Sequence, residues 1–333
     1  MGDPPGVSRE NMIRFMRILV IGGSGFIGTG VVAELRRDEH VVATFSRRGD
    51  IQGDRKSLKE FAGAIQEFAP DVVVDLILSS GAQARDLMDV IRGGAKRVIA
   101  VSSIDVYRAC SVLQRLEDGP LEPVPLVETS PLRRRLQTYP AAQIATLKSV
   151  FEWLDDEYDK IPVERQVLHD PDVVGTVLRL PMVYGPGDRL HRLSALVAHM
   201  ERTTNDLVMA KSAAGWRWAR GYVDNVAHAI ASAATHEASA GRIYNVAEPH
   251  NFSEGEWAER VARAIGWKGR IRIVPDAEAP PNPLAAGNLA QDWSADTSRI
   301  REELGYAEIV DVDEAIRRTV AWERASTANE ARM

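Results

Sequence analysis

The stretch RILVIGGSGFIG, residues 17–28, constrains this chain more than any other. A short β-branched run stops at a glycine-rich turn, and VVAELRR then resumes with helical periodicity as far as Asp38. The pattern continues with strand HVVATFS, helix SLKEFAGAIQEFA, strand DVVVDLIL, helix GAQARDLMDVIRG and strand RVIAVSS. Apolar strands separated by helices predict a parallel sheet covered on both faces, because only burial on each side tolerates such continuous hydrophobic runs. The expected class is therefore α/β, a doubly wound parallel (Rossmann) sheet, with a smaller α/β portion after it.

Gly22, Gly25 and Gly28 stand in GxxGxxG spacing between the first strand and helix. One glycine makes the tight turn, one lets backbone N–H groups approach a pyrophosphate, and one lets helix and strand pack closely. In that context the turn predicts a dinucleotide site formed by Gly22, Ser24, Gly25, Phe26, Ile27 and Gly28. The end of the second strand bears on which dinucleotide. It reads Ser46, Arg47, Arg48, without the acid that would accept from a ribose 2'-hydroxyl. Two guanidiniums suit a 2'-phosphate, so NADP is preferred over NAD. Asp54, in QGDR, is a candidate for the adenine edge, and Leu78 joins the cofactor set at the close of the third strand.

Composition excludes several other functions. A formal net charge of -6 argues against gripping a nucleic-acid backbone. The lone Cys110 rules out an internal disulfide framework and a multi-thiolate metal site, which makes the cytoplasm the expected compartment. His191, His199, His228 and His250 show no metal-ligand spacing, so no metal is expected. No uncharged apolar run reaches the ~20 residues needed to cross a bilayer. Residues 1–16 read as a flexible extension.

Five ordered segments carry a family resemblance: GGSGFIG, AVSSIDVY (100–107), LRLPMVYGPGD (178–188), GYVDNVAHAI (221–230) and GRIYNVAEP (241–249). Together they resemble the extended short-chain dehydrogenase/reductases, which include sugar-nucleotide epimerases and dehydratases. The similarity runs from about Arg17 to Trp322. It implies a Rossmann domain over 17–180, a mainly substrate-binding part over 181–330 with segments returning to the Rossmann domain, and dimerisation. It also implies catalysis by a serine or threonine, a tyrosine and a lysine, the lysine lowering the phenol's pKa so that it can exchange a proton near neutrality.

By that resemblance the serine is Ser103, four residues before Tyr107. A position at the C-terminal end of a parallel strand agrees independently. The family's YxxxK pair has two placements here. Tyr139 can open a helix, but Gln143 stands where lysine belongs, and Lys148 falls on the opposite helix face. Alternatively Lys160 is the family lysine, with Glu164 in a KxxxE position, Asp156 in the tyrosine's place and Tyr158 two residues from the lysine. Pro162 favours a helix starting near Ile161, which would leave Tyr158 and Lys160 in a turn. The second placement is preferred, and it makes 108–153 an insertion from which Tyr139 could still reach the site.

On the substrate side the resemblance puts Pro181 and Val183 beside the nicotinamide, and Arg217 and Arg220 on a substrate diphosphate. Trp216 and Trp218 flank those arginines, to pack or to stack on a ligand. The expected function is NAD(P)-dependent chemistry at a hydroxyl or carbonyl of a sugar nucleotide or related small molecule. The alternative is a non-catalytic dinucleotide-binding regulator or RNA-associated protein of the same superfamily.

Overall fold

The structure, a computed structural model, describes residues 15–330. The expected N-terminal extension therefore lies almost wholly outside the described residues. β1 (Arg17–Ile21) leads into α1 (Gly28–Arg37), and β2 (Val41–Ser46) with the short β3 (Ile51–Gln52) leads to α2 (Ala62–Phe68). β4 (Val72–Asp75), α3 (Gly81–Ile91) and β5 (Arg97–Ser103) follow. After β5 come α4 (Arg108–Leu113), α5 (Ala141–Val150), α6 (Lys160–Leu168) and β6 (Val174–Leu180).

Beyond β6 the chain forms β7 (Met182–Tyr184), α7 (Ser194–Arg202), β8 (Leu207–Ala210), α8 (Lys211–Gly215) and β9 (Arg220–Tyr222). α9 (Val223–Thr235), β10 (Ile243–Asn245), α10 (Glu254–Ile265), β11 (Ile271–Val274), α11 (Ser298–Leu304) and α12 (Val312–Glu330) complete it. The main sheet has seven strands in the order β10-β6-β5-β4-β1-β2-β3, every pair parallel. The sequence direction reverses between β1 and β4, and open α/β sheets bind ligands at that switch point.

Side-chain alternation along the strands builds a core on each face. Ile18, Val20, Val72, Val74 and Ile99 pack with Val31 and Leu35 of α1 and with Val226 and Ile230 of α9. Leu19, Ile21, Val73, Val98 and Ala100 pack on the other face with Ile65, Leu87, Met88, Val163 and Val167 of α2, α3 and α6. α9 and β10 thus come from the C-terminal half of the chain to cover and extend the large sheet. Two small parallel pairs, β7 with β9 and β8 with β11, stand apart from it.

Two elements differ from their sequence reading. The strand expected through Leu78 stops at Asp75, whose carboxylate accepts from the Ile77 amide at 3.0 Å and turns the chain off the sheet. The helix expected over SLKEFAGAIQEFA is split. Asp54 opens a 3₁₀ turn over Arg55–Phe61, Ser57 departs from helical backbone angles, and α2 begins only at Ala62. Among the described residues no helix is long and apolar enough to cross a membrane.

Candidate active site

A cleft of about 620 Å³ opens at the C-terminal ends of β1, β4, β5 and β6. Its floor is the glycine turn: Gly22, Gly25, Phe26, Ile27 and Gly28 all line it. Gly22 has a φ of +84°, a left-handed angle that favours glycine. A Cβ on Gly28 would stand 2.2 Å from the Gly22 carbonyl oxygen, so no larger residue lets α1 pack this close to β1. Ile27 enters α1 without a side-chain cap; the Thr29 amide donates to the Gly25 carbonyl at 3.1 Å, and no capping side chain competes with an anion for the remaining first-turn N–H groups. The cradle therefore fits a dinucleotide pyrophosphate.

Ser103 ends β5 on the cleft wall. Its Oγ accepts from the Asp105 amide at 3.2 Å, which leaves the hydroxyl proton free to donate. Lys160 is the first residue of α6, with Asp159 as the N-cap. The expected helix start thus moves back by one residue, and Pro162 remains in the first turn, where its missing N–H has no helical partner to lose. The Lys160 ammonium donates to the Val101 carbonyl at 3.1 Å and to the Leu78 carbonyl. Burial lowers its ionisation to about 8, while the carboxylates of Asp105, Asp75 and Glu164 oppose that shift. Glu164 accepts from Ser102 Oγ at 2.6 Å and forms a bidentate pair with Arg179 at 3.0 and 2.7 Å, tying α6 to β5 and β6.

Both candidate phenols reach the cleft. Their rings meet edge to face at 5.5 Å between centroids. Tyr139 donates its hydroxyl proton to Asp105 Oδ2 at 2.9 Å. Tyr158 lies just before α6, with the Lys160 ammonium 5.8 Å from its ring centre. Burial, followed by the nearby Asp105 carboxylate, pushes both phenol ionisations well above the usual value.

Several predicted residues lie elsewhere. Leu78 is fully buried and offers only its carbonyl, to Lys160. Asp54 is occupied in capping, accepting from the Lys56 amide at 2.8 Å. Ser24 Oγ donates to Ser46 Oγ at 3.1 Å, and the Arg48 amide donates to the same oxygen at 3.2 Å, which closes the loops beside the glycine turn. Arg47 pairs with Glu152. Pro181 and Val183 do line the cleft.

Arg217 and Arg220 do not line it. Arg217 donates to the Asn251 carbonyl at 2.8 Å and to Glu256 at 2.9 Å. Arg220 is buried, pairs with Glu254, and lies 4.6 Å over the Trp257 ring. The acidic first turn of α10 holds both arginines in place of a ligand diphosphate. Trp216 packs inward, donating to the Gln291 carbonyl at 2.9 Å. Trp218 stacks on Trp293 at 6.0 Å, and that pair faces the cleft.

Sequence reasoning missed Asp105, Arg133 and Asp159. Asp105 is 2% exposed, lines the cleft, and its Oδ1 has no hydrogen-bond partner among the described residues. Arg133 grips Asp159 at 2.8 and 2.9 Å and donates from Nε to the Asp105 carbonyl at 2.9 Å. A buried acid two positions after Ser103 was a readable signal. The Arg133–Asp159 pair, 26 residues apart, was not. Among the described residues no group of three or more His, Cys, Asp or Glu side chains is placed to hold a metal ion.

The doubly wound sheet with a glycine cradle at its switch point defines the Rossmann class of dinucleotide-binding folds. The chain belongs to the NAD dependent epimerase/dehydratase family, whose model matches residues 18–247. It is 24% identical over 176 residues to the uncharacterized protein YbjS of Escherichia coli K12, covering 46% of this chain and 51% of that one. The match thus spans about half the length of that relative. It is 24% identical over 295 residues to 2'-dehydrokanamycin reductase of Streptomyces kanamyceticus, covering 84% of this chain and 71% of the reductase. The fold is also similar to the UDP-glucose 4-epimerase of Thermotoga maritima, solved with UDP-glucose, with a TM-score of 0.64, 18% identity and coverage of 94% and 100% of the two chains.

Proposed function

We propose that this chain is an NADP(H)-preferring oxidoreductase that reduces a carbonyl on a sugar or sugar-nucleotide substrate, with Ser103, Tyr158 and Lys160 as its catalytic residues. The observation that carries the reading is the convergence of these three with the glycine turn in one cleft. Bound in that cradle, a nicotinamide supplies or accepts the hydride. Ser103 donates a hydrogen bond to the reacting oxygen, and Tyr158 delivers a proton to it from Oη. Lys160 holds a positive charge beside the phenol and stabilises the phenolate left behind.

The reductase relationship supports the direction of reduction. Burial keeps the Tyr158 phenol protonated, so in the resting site it stands as a proton donor. Reduction of a carbonyl needs a proton donor, whereas oxidation of a hydroxyl needs a base. Tyr139 has its proton committed to Asp105, so Tyr158 is assigned as donor. The 2'-dehydrokanamycin reductase relationship supports a keto group on a sugar ring, and the epimerase solved with UDP-glucose supports a sugar nucleotide.

The test is to titrate the protein with NADPH and NADH by nicotinamide fluorescence, then follow hydride transfer to a panel of keto-sugars and sugar nucleotides. NADPH should bind more tightly, and equal affinity would defeat the NADP preference. Turnover should be lost in Tyr158→Phe and retained in Tyr139→Phe, and the opposite result would reassign the donor. Dinucleotide binding with no hydride transfer across the panel would favour a non-catalytic binding protein.

A further inference from the structure

The end of β2 has no acid facing a cofactor ribose: Asp50, the carboxylate in the turn that follows, is folded back onto Thr44, accepting from its amide and hydroxyl at 2.9 Å each. The tertiary structure supplies one instead. Glu152, 105 residues further along the chain, reaches Arg47 and forms an ion pair with it. The flanking Phe151 and Trp153 line the same cleft as the glycine turn, so Glu152 stands in a segment that borders it.

That segment is anchored. Gln83 Nε2 donates to the Trp153 carbonyl at 2.9 Å, the Asp155 amide donates to Ser79 Oγ at 3.2 Å, and the Ser80 hydroxyl binds the Asp155 carboxylate. The ion pair itself is open to solvent, with side-chain exposures of 65% and 63%. A pair of this kind is weak, screened by salt, and exchangeable for a better anion. Its anchored backbone nevertheless keeps the carboxylate near Arg47 after exchange.

Building on the cofactor reading above, we propose that Glu152 is a specificity-determining residue for the dinucleotide. Its carboxylate takes the position at Arg47 that a 2'-phosphate would occupy. A phosphorylated cofactor must displace it and then remain beside its negative charge, whereas an unphosphorylated cofactor meets neither cost. Glu152 therefore reduces the advantage that Arg47 and Arg48 give to NADPH.

The test is a double-mutant cycle on the full chain, with dissociation constants for NADPH and NADH read by nicotinamide fluorescence. Glu152→Gln should tighten NADPH binding about three- to fivefold, the upper part of the range for an exposed ion pair, and leave NADH within about twofold. The gain should shrink at high salt and be smaller in an Arg47→Met background, where the displacement cost is gone and only the repulsion remains. NADPH affinity that is unchanged or weaker in Glu152→Gln, or an equal gain without Arg47, overturns the proposal while leaving the dinucleotide site intact. Failure of both nucleotides to bind the wild type and the variants overturns the cofactor reading and this proposal together.

Discussion

Replacing Glu248 by glutamine should stabilise the protein above neutrality and do so less and less as the pH falls. Glu248 is 4% exposed, and its Oε1 accepts from the Tyr184 hydroxyl at 2.7 Å. Burial, aided by the Glu308 charge, raises its ionisation from 4.5 to about 7. Below 4.5 the carboxyl is protonated in folded and unfolded chains alike. Between 4.5 and about 7 the unfolded chain loses its proton while the folded chain keeps it, so stability falls as pH rises through that window. At about 1.4 kcal/mol per pH unit, the full penalty for the ionised form is roughly 3 kcal/mol, and at pH 5 it is below about 1 kcal/mol. Glutamine keeps the acceptor for Tyr184 and cannot ionise. Urea unfolding at pH 5 and pH 8 should therefore show the Glu248→Gln advantage growing by about 2–3 kcal/mol between the two. A difference that stays constant with pH, or a variant less stable than wild type at pH 8, would refute the reasoning.

Gly28→Ala should abolish the cradle, because the new Cβ meets the Gly22 carbonyl at 2.2 Å and Gly23 Cα at 2.8 Å. NADPH binding should weaken by at least about tenfold and stability should fall by about 2–4 kcal/mol, read by fluorescence titration and urea unfolding. Arg133→Met should cost about 3–5 kcal/mol, since it leaves the buried Asp159 carboxylate uncompensated. Limited proteolysis of that variant should cut first within 108–153, and a protease pattern like wild type would show that Arg133 does not hold the segment.

The seven-stranded sheet was largely legible because each of its determinants is local. Runs such as VVVD and RVIAVSS bury both faces, and a glycine trio between strand and helix has few other uses. Ser103 could be placed at a strand end for the same reason. The substrate side was not legible. Arg217 and Arg220 read as free cations until α10 brings Glu256 and Glu254 against them, from 39 and 34 residues away. Arg47 read as an unopposed phosphate ligand for a similar reason, since its partner Glu152 is remote in sequence. A cationic residue can be recognised locally, but whether its charge is already satisfied is a tertiary property.

The placement of Tyr139 and Tyr158 has a physical explanation in Asp159. Its carboxylate accepts from the Ile161 amide at 2.9 Å and so starts α6, accepts from the Gln137 amide, and holds Arg133 in a bidentate pair. The return leg of segment 108–153 and the first turn of α6 are therefore fixed by one buried acid. Tyr139 follows Gln137 by two residues and Tyr158 precedes Asp159 by one, so the same anchor sets the two phenols edge to face. Arg55 and Asp75, 3.1 Å apart and buried, act on Lys160 with opposite charges. Buried pairs of this kind add little net stability, but losing one partner is costly, so they fix geometry more than they strengthen it. Where a YxxxK helix would set phenol and ammonium on one face by its own periodicity, this chain sets them by a tertiary clamp. Loosening Asp159 should therefore disturb both tyrosines and Lys160 together.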